Sequence, residues 1–335
     1  MKGKYLYGII RKDKNHSLNL GGLTTVAYQS LVAVVTEKEV KDYHKLPKEE
    51  TIRELIGHQQ TIEKIMNEFP ILPVRFGTIL KDEEEVKSVL EKGYFFLRNT
   101  LRKIEDKIEL DLVCFWDEQK AAQMACQKSK KIRDYYTSEV ARPARRSLGA
   151  GGRDSSDGEM EAKITLGKLV ADYLSSKREK LSNQVLKTLK KEAVENCGHA
   201  LADVNMLLNQ AFLVEKKGQE AFNYALNQLD SRFADLLNFR LVGPLPPYSF
   251  STVVVDVLDK EEVEKAKRTL GLDGEITDKT VNHAYRQLAQ ECHPDKNAGQ
   301  GQLGFDLINS AYKVLKDFAK RGFFNVDIYH WEEQR

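Results

Sequence analysis

Apolar residues at the start of the chain fall in short runs that alternate with polar ones, which is typical of β-strands. Four such runs are residues 4–10, 24–36, 71–80 and 110–116. Residues 48–68 and 82–107 instead place apolar side chains three and four positions apart, as amphipathic helices do. We expect the last run to close this unit as a strand. The element order predicts an α+β fold class, with a ferredoxin-like N-terminal domain over residues 1–117.

The next segment, residues 118–199, is highly charged and favours helix. Residues 164–189 carry apolar side chains at helical spacing. Residues 147–159 (SLGAGGRDSSDGE) are rich in Gly, Ser and Asp and are predicted to form a loop. The pattern therefore predicts a helical hairpin interrupted by this loop. We expect the basic run at 141–147 to be a solvated loop edge rather than a phosphate site.

Residues 200–258 return to a mixture of strands and helix. The pattern predicts a strand at 203–216, an amphipathic helix at 219–233 and two strands within 238–257. A stiff corner, GPLPPY (243–248), separates the last two strands because its prolines restrict the backbone. This segment is predicted to be a second, small α/β unit.

The last part of the chain, residues 259–322, is predicted to be all-helical. Its apolar residues mark helices at 261–272, 281–292 and 305–315. Two of these helices flank the loop at 293–304, which contains the tripeptide His-Pro-Asp. Two amphipathic helices joined by a loop should pack antiparallel, so that the loop protrudes at one end.

The tail, residues 323–335, is short and rich in aromatic side chains. An exposed patch of this kind would favour association with other molecules. We therefore expect the tail to pack back on the body of the protein, or to add an edge strand through NVDIY (325–329).

Composition excludes several classes of function. The 335 residues are 41% hydrophobic and 30% charged with a formal net charge of +2, which argues against a dominant nucleic-acid role. No apolar run is long enough to span a membrane, and the N-terminus does not have the pattern of a signal peptide. The four cysteines form no C-x-x-C pair. We expect a reduced, cytoplasmic protein without a metal or cofactor.

Several motifs in the first three segments together resemble the GvpL/GvpF family of gas vesicle proteins. They are KYLYGI (4–9), GHQQTIEKIM (57–66), LPVRFGT (72–78), ITLGKLVADYLSSKRE (164–179) and FRLVGPLPPYSF (239–250). The resemblance covers about residues 4–258. It implies a cytoplasmic accessory protein of gas vesicle assembly that binds the hydrophobic shell protein GvpA and other accessory Gvp proteins. It brings no catalytic residues.

Two of these motifs contain candidate partner-binding residues. Arg75 stands in an apolar strand, where it could contact an acidic group of a partner or form an internal salt bridge. Phe76 follows it. In the proline-rich corner, Tyr248 and Phe250 could be presented to a partner or could be part of the architecture. His58 is expected to be a packing or hydrogen-bonding residue, because the sequence offers no second ligand at metal spacing.

The C-terminal helices resemble a J domain, with Leu270-Gly271, Ala284-Tyr285-Arg286 and Ala311-Tyr312 at the family's positions. J domains dock on an Hsp70 through the His-Pro-Asp loop and the basic residues of the preceding helix, and stimulate its ATPase. The candidate Hsp70-binding residues are Arg286, His293, Pro294, Asp295 and Lys296. Gln287, Gln290 and Glu291 stand where Lys or Arg is common, so the electrostatic attraction to Hsp70 should be weaker.

Three functions are therefore compared. The favoured one is a non-enzymatic accessory protein of gas vesicle assembly that recruits Hsp70 through its His-Pro-Asp loop. The alternative is a general J-domain co-chaperone with a divergent client-binding region. The third is an enzyme, for which the sequence offers no metal cluster, phosphate loop or nucleophile–base pair. The sequence alone distinguishes neither the F from the L type nor the oligomeric state.

Overall fold

The computed structural model describes residues 2–11, 22–43, 45–141, 155–291 and 301–329. The chain divides into two compact units. Unit 1 combines Met1–Glu105 with Ser251–His330, and unit 2 is formed by Asp106–Phe250. Unit 1 thus combines two stretches that are far apart in sequence.

Unit 1 is built around an antiparallel sheet. Its first elements are β1 (Lys2–Arg11), β2 (Thr24–Tyr28), β3 (Leu31–Glu39), α1 (Lys48–Met66), β4 (Ile71–Pro73), β5 (Ile79–Leu80) and α2 (Glu83–Ile104). The strand order is β2-β3-β1-β4, and β5 also pairs with β1. The side chain of Asp82 accepts hydrogen bonds from the backbone N–H groups of Glu84 and Glu85, which caps α2 at its N-terminus.

The two helices of this part lie on opposite faces of the sheet. The apolar face of α2, which includes Val86, Leu90 and Leu97, packs in one core with alternate residues of the strands. His58 of α1 instead stacks on Tyr7, whose strand neighbour Leu6 faces α2. Successive strand residues point to opposite faces, so α1 covers the other side.

A second pair of strands extends unit 1. They are β10 (Thr252–Val257) and β11 (Phe324–Tyr329), which pair antiparallel over six residues. A parallel bridge between Val74 and Val253 connects β10 to the main sheet. Val253, Val255 and Val326 join the core beneath α2.

Unit 2 is a four-stranded sheet with helices packed on one face. Its elements are β6 (Lys107–Trp116), α3 (Glu118–Lys128), α4 (Lys130–Tyr135), α5 (Ser155–Leu189), β7 (Glu195–Gly198), β8 (Met206–Glu215), α6 (Gln219–Phe233), β9 (Leu237–Leu245) and α7 (Tyr248–Ser251). The last residue of α7, Ser251, is the first residue of the second stretch of unit 1. The strand order is β7-β8-β6-β9, with all pairs antiparallel. Helices α5 and α6 connect the strands in the order βαββαβ of a ferredoxin-like fold and pack on one face of the sheet.

Three helices follow β10 in unit 1: α8 (Lys260–Leu270), α9 (Asp278–Glu291) and α10 (Gly301–Arg321). They share a small core formed by Val263, Ala266, Leu270, Val281, Ala284, Ile308, Ala311 and Leu315. Ala266 is 4% exposed in this core.

The α+β fold class is confirmed, but two strands differ from the expected organisation. The strand at 110–116, expected to close the first unit, is β6 and lies at the centre of the second sheet between β8 and β9. The strand expected to end the 200–258 unit is β10, which pairs within unit 1 instead. In both cases the apolar pattern predicted a strand correctly, but alternation does not specify the partner strand.

One local prediction is also corrected. Residues 155–159, expected to be loop, form the start of α5, since Ser and Asp favour helix starts as well as loops. The helix predicted within 48–68 is confirmed as α1, which is buried through His58, Ile62 and Ile65, while Ile52, Leu55 and Ile56 are exposed. The expected edge strand in the tail is confirmed as β11.

Candidate functional site

Arg75 forms an internal ion pair. Its Nη2 lies 3.2 Å from Oδ1 of Asp256 on β10, and both side chains are about half exposed. The backbone N–H of Arg75 donates to the carbonyl of Val253 at 2.9 Å. An exposed pair of this kind stabilises the fold by about 1 kcal/mol at most. The interaction connects β10 to the end of β4, as an internal salt bridge would.

Phe76 belongs to an aromatic cluster around His58. The ring of Phe76 lies 4.9 Å from that of Tyr43 and 5.6 Å from the imidazole of His58. His58 Nε2 lies 3.1 Å from the carbonyl of Val74, so this nitrogen carries the proton and Nδ1 accepts from the hydroxyl of Tyr5 at 2.9 Å. Burial lowers the pKa of His58 to about 4. His58 is therefore a neutral packing and hydrogen-bonding residue, as expected.

The proline-rich corner is attached to the second sheet through Ser249. Its hydroxyl donates to Oε1 of Glu109 at 2.7 Å, and its backbone N–H donates to Oε2 at 2.8 Å. Phe250, next in the chain, is 3% exposed and packs on Cys197, Ala211 and Leu213. Packing, rather than a partner contact, accounts for Phe250. Tyr248 is half-buried on the same turn.

Glu109 is the centre of a buried polar cluster that the sequence analysis missed. Burial, and then the nearby Asp111 carboxylate, raise the pKa of Glu109 to about 8. Burial also raises the pKa of Asp111. His199 Nε2 lies 3.2 Å from the hydroxyl of Ser249. The sequence signal was the pair of acidic residues Glu109 and Asp111, two positions apart in a mostly apolar strand.

Ser249 holds the proline-rich corner on the second sheet through this cluster. Its hydroxyl lies between Glu109 and His199. His199 also interacts electrostatically with the carboxylate of Asp111.

Polar side chains join α9 to α10. Tyr285 donates to Asn309 at 2.6 Å and Tyr312 donates to Asn282 at 2.8 Å, while Lys316 pairs with Asp278 at 2.7 Å. Residue numbers rise along one helix as they fall along the other, so the two helices are antiparallel, as expected.

The exposed side of α9 carries a short basic stripe. Lys279, His283 and Arg286 are exposed and follow one another at spacings of four and three residues, so they share one helix face. Arg286 was the predicted contact on this helix, and Lys279 and His283 could have been predicted from their spacing to it. The remaining candidates for Hsp70 binding, His293, Pro294, Asp295 and Lys296, lie outside the described residues.

Comparison with known proteins decides the family. The profile of the gas vesicle synthesis proteins GvpL/GvpF matches residues 3–252. The chain belongs to the GvpL/GvpF family. Gas vesicle protein F of Nostoc sp. is 25% identical over 260 residues, which cover 75% of this chain and 98% of that protein. Gas vesicle protein F of a Streptomyces species is 26% identical over 73% of this chain and 98% of its own length.

Solved structures share the fold. The crystal structure of the gas vesicle protein GvpF from Anabaena sp. matches with a TM-score of 0.58 and 22% identity, over 74% of this chain and 98% of that one. GvpF from Microcystis aeruginosa matches with a TM-score of 0.54, again at 22% identity over 74% of this chain.

The rest of the chain adds a second family. The DnaJ domain profile matches residues 268–325. The chaperone protein DnaJ of Rhodopseudomonas palustris is 42% identical over 59 residues, which are 17% of this chain and 16% of that protein. This member of the GvpL/GvpF family thus carries a C-terminal J domain.

Two further observations concern the described part of the chain. None of its helices combines the length and apolar character needed to cross a bilayer. Its His, Cys, Asp and Glu side chains form no group of three or more that could hold a metal ion.

Proposed function

We propose that this protein is a non-enzymatic accessory factor of gas vesicle assembly, which binds the shell protein and recruits an Hsp70 to it. The observation that carries the proposal is the joining of a GvpL/GvpF region and a J domain in one chain. The J-domain helices also fold within the same compact unit as the N-terminal sheet of the GvpL/GvpF region.

The client side of the proposal is the hydrophobic shell protein GvpA, together with other accessory Gvp proteins. The relatives are gas vesicle proteins by name, which supports a place at the gas vesicle or in the cytoplasm where it is assembled. A small apolar protein that polymerises only at a growing edge must be kept from aggregating elsewhere. An Hsp70 delivered by the same chain would serve that purpose.

Recruitment of an Hsp70 is supported by helix α9 and by the His-Pro-Asp tripeptide that follows it in sequence. Lys279, His283 and Arg286 are exposed on this helix, and Lys279 and Arg286 place positive charge before the tripeptide. Complementary charge raises the rate of association more than the final affinity. The stimulation should therefore weaken as the salt concentration rises.

The direct test is the ATPase rate of the host Hsp70 with the full-length chain, compared with Asp295→Asn. We expect the wild type to stimulate the rate several-fold and Asp295→Asn to abolish the stimulation. Lys163→Asn, which changes one charge outside the J domain, is the control and should behave as the wild type. No stimulation by any of the three proteins would refute recruitment of Hsp70.

The client is tested separately. The full-length chain and Asp295→Asn should both retain GvpA in a pull-down, because the substitution lies outside the GvpL/GvpF region. In a strain that lacks the gene, only the wild type should restore full flotation. A deletion strain that floats normally would contradict an essential role in assembly.

The second candidate is a general co-chaperone, which the 42% identity of the J domain to a DnaJ protein favours. It predicts that the chain replaces a cellular DnaJ in heat survival, whether or not the cell makes gas vesicles. Restored heat survival without any retention of GvpA would favour this candidate over the first.

A further inference from the structure

Unit 2 contains an open cleft beside the end of β6. Its volume is about 560 Å³, which is within the range of ligand sites in proteins. The cleft lies between the last residue of β6, the first two turns of α3, Leu174 in the middle of α5, and Asn205 just before β8. All of these elements belong to unit 2.

The inner wall of this cleft is apolar. Trp116 is 5% exposed, and Ala122 and Leu174 are half-buried. The Nε1–H group of Trp116 is buried and has no hydrogen-bond acceptor within the described part of the chain. A buried donor without an acceptor reduces stability by about 1–3 kcal/mol. A carbonyl oxygen of a bound segment is the kind of acceptor that this group lacks.

Arg178 of α5 holds this wall in place. Its guanidinium group lies 5.4 Å from the centre of the Trp116 ring. The same group donates to the backbone carbonyl of Val204 at 2.8 Å and to that of Met206. Because these contacts fix the wall before anything binds, little ordering is required on binding.

The rim of the cleft at α3 is acidic. The side chain of Asp117 accepts a hydrogen bond from the backbone N–H of Lys120 at 2.9 Å, which lowers the pKa of Asp117 and keeps it charged. Nζ of Lys120 lies 3.4 Å from the same carboxylate and offsets part of this charge, while Glu118 adds a second, exposed carboxylate. A helix N-terminus usually favours an anion, but Asp117 already caps this one. The rim therefore favours a cation.

Exposed apolar side chains next to the cleft indicate a protein partner rather than a small molecule. Val204, which precedes Asn205 in the chain, is 77% exposed, and Leu201 in the same segment is 51% exposed. A small amine could fill the cleft without covering these side chains. A chain segment with apolar residues beside a cationic one could do both, and exposed apolar surface of this kind is typical of interaction sites.

We propose that this cleft is a docking site for a segment of a partner protein that carries a lysine or arginine between apolar residues. The cationic group pairs with Glu118, and its aliphatic stem lies on Trp116 and Leu174. The neighbouring apolar residues of the segment cover Val204. The proposal rests on the contacts of unit 2 and does not depend on the proposed function.

The test uses the full-length chain and a fluorescein-labelled synthetic peptide, Ala-Leu-Lys-Leu-Ala. We expect the wild type to bind it in fluorescence anisotropy, and Glu118→Lys to bind it at least tenfold more weakly, because the charge at the rim is reversed. Glu220→Lys makes the same change in the first turn of α6, outside the lining of the cleft, and is the matched control. No binding by the wild type, or equal binding by Glu118→Lys, would overturn the proposal.

A second variant keeps the test decisive if Glu118→Lys does not fold. Val204→Ser changes an exposed side chain and should weaken binding of the peptide about threefold or more. Val194→Ser, at another exposed valine of unit 2, should bind as the wild type does. Equal binding by Val204→Ser and Val194→Ser would contradict the proposed contact.

Two further measurements distinguish the occupant of the cleft. A peptide with Glu in place of Lys should not bind. Displacement of the labelled peptide by an equal concentration of butylamine would assign the cleft to a small amine and would overturn docking of a chain segment. A doubled mass in light scattering without peptide binding would assign it to a second copy of this chain, with the same consequence.

Discussion

At the scale of single residues, the buried Glu109 makes the stability of unit 2 depend on pH. Its pKa is raised to about 8, so the folded state keeps a proton that the unfolded state releases near pH 4.5. Between these values the unfolded state binds fewer protons, and the stability of the fold therefore falls as the pH rises. The free energy of unfolding falls by about 1.4 kcal/mol per pH unit at most.

Replacing Glu109 should remove this dependence. We expect Glu109→Gln to lose less stability than the wild type between pH 5 and pH 8, because glutamine has no proton to release. Urea unfolding at several pH values measures the difference. Glu220→Gln on the exposed side of α6 is the control. If Glu109→Gln and Glu220→Gln gave the same pH profile as the wild type, Glu109 would not be the source of the effect.

His58 should act in the opposite direction. Its pKa is lowered to about 4, whereas the unfolded chain takes up the proton near pH 6.5. The contribution of the neutral His58 to the stability of the fold is therefore fully present above pH 6.5 and is lost as the pH falls through 4. We expect His58→Phe to be about 1–3 kcal/mol less stable at pH 7, because it leaves Tyr5 and the Val74 carbonyl without this partner. The variant should lose less stability than the wild type on acidification.

The exposed His283 provides the control for this measurement. His283→Gln should retain the acid sensitivity of the wild type when unfolding is followed between pH 7 and pH 4. An unchanged acid sensitivity in His58→Phe would show that another group causes it.

At the scale of elements, two reciprocal Tyr–Asn hydrogen bonds join α9 to α10. The rings of Tyr285 and Tyr312 also lie 4.2 Å apart, so the two bonds and the ring contact form one connected interaction. Residues that are in contact do not contribute independently to stability. The antiparallel pairing of the two helices depends on this interaction and on the apolar core that they share with α8.

Removing either hydroxyl should loosen the pair. We expect Tyr285→Phe and Tyr312→Phe each to reduce stability by about 0.5–1.5 kcal/mol, with a non-additive double variant. Hydrogen exchange of the amides in α9 and α10 measures the change. Tyr224→Phe, whose side chain is 67% exposed on α6, should have no effect there. Additive behaviour of the double variant would indicate that the two bonds act independently.

Also at this scale, most helices and strands could be predicted from the sequence. The sheet to which β6 and β10 belong could not be predicted. Apolar alternation predicted β6 and β10 as strands because a pleated strand places successive side chains on opposite faces. The strand that pairs with each of them is distant in sequence, and backbone hydrogen bonds carry no information about residue type. Arg75 shows the same limit, since its partner Asp256 is 181 residues away.

At the scale of the whole molecule, each unit has its own core. Leu90 of α2 and Leu189 of α5 are both fully buried, one in each core. We expect Leu90→Ala and Leu189→Ala to cost about 2–5 kcal/mol each, because each leaves a cavity. Hydrogen exchange should increase mainly in β1, β3 and β10 for the first variant and in β6 and β8 for the second. Increased exchange in the same segments for both variants would contradict two separate cores.

Part of the candidate site could likewise be predicted from the sequence, and part of it only became visible in the structure. The J domain and its candidate residue Arg286 could be predicted because its motifs are local and its helices are consecutive. The GvpL/GvpF motifs identified the family, but they did not show that Phe250 is buried or that Ser249 bonds to Glu109. Those contacts depend on which face of a strand meets the proline-rich corner.

By itself, the sequence determined the fold class, the family, the J domain and most of the helices and strands, because these depend on local periodicity and contiguous motifs. Only the tertiary structure decided that β6 completes the ferredoxin-like order of unit 2, and that β10 and β11 pair within unit 1. The physical reason is that strand pairing and burial join residues that are far apart in sequence. Their free energy depends on the shape and contacts of the folded chain, which no local pattern contains.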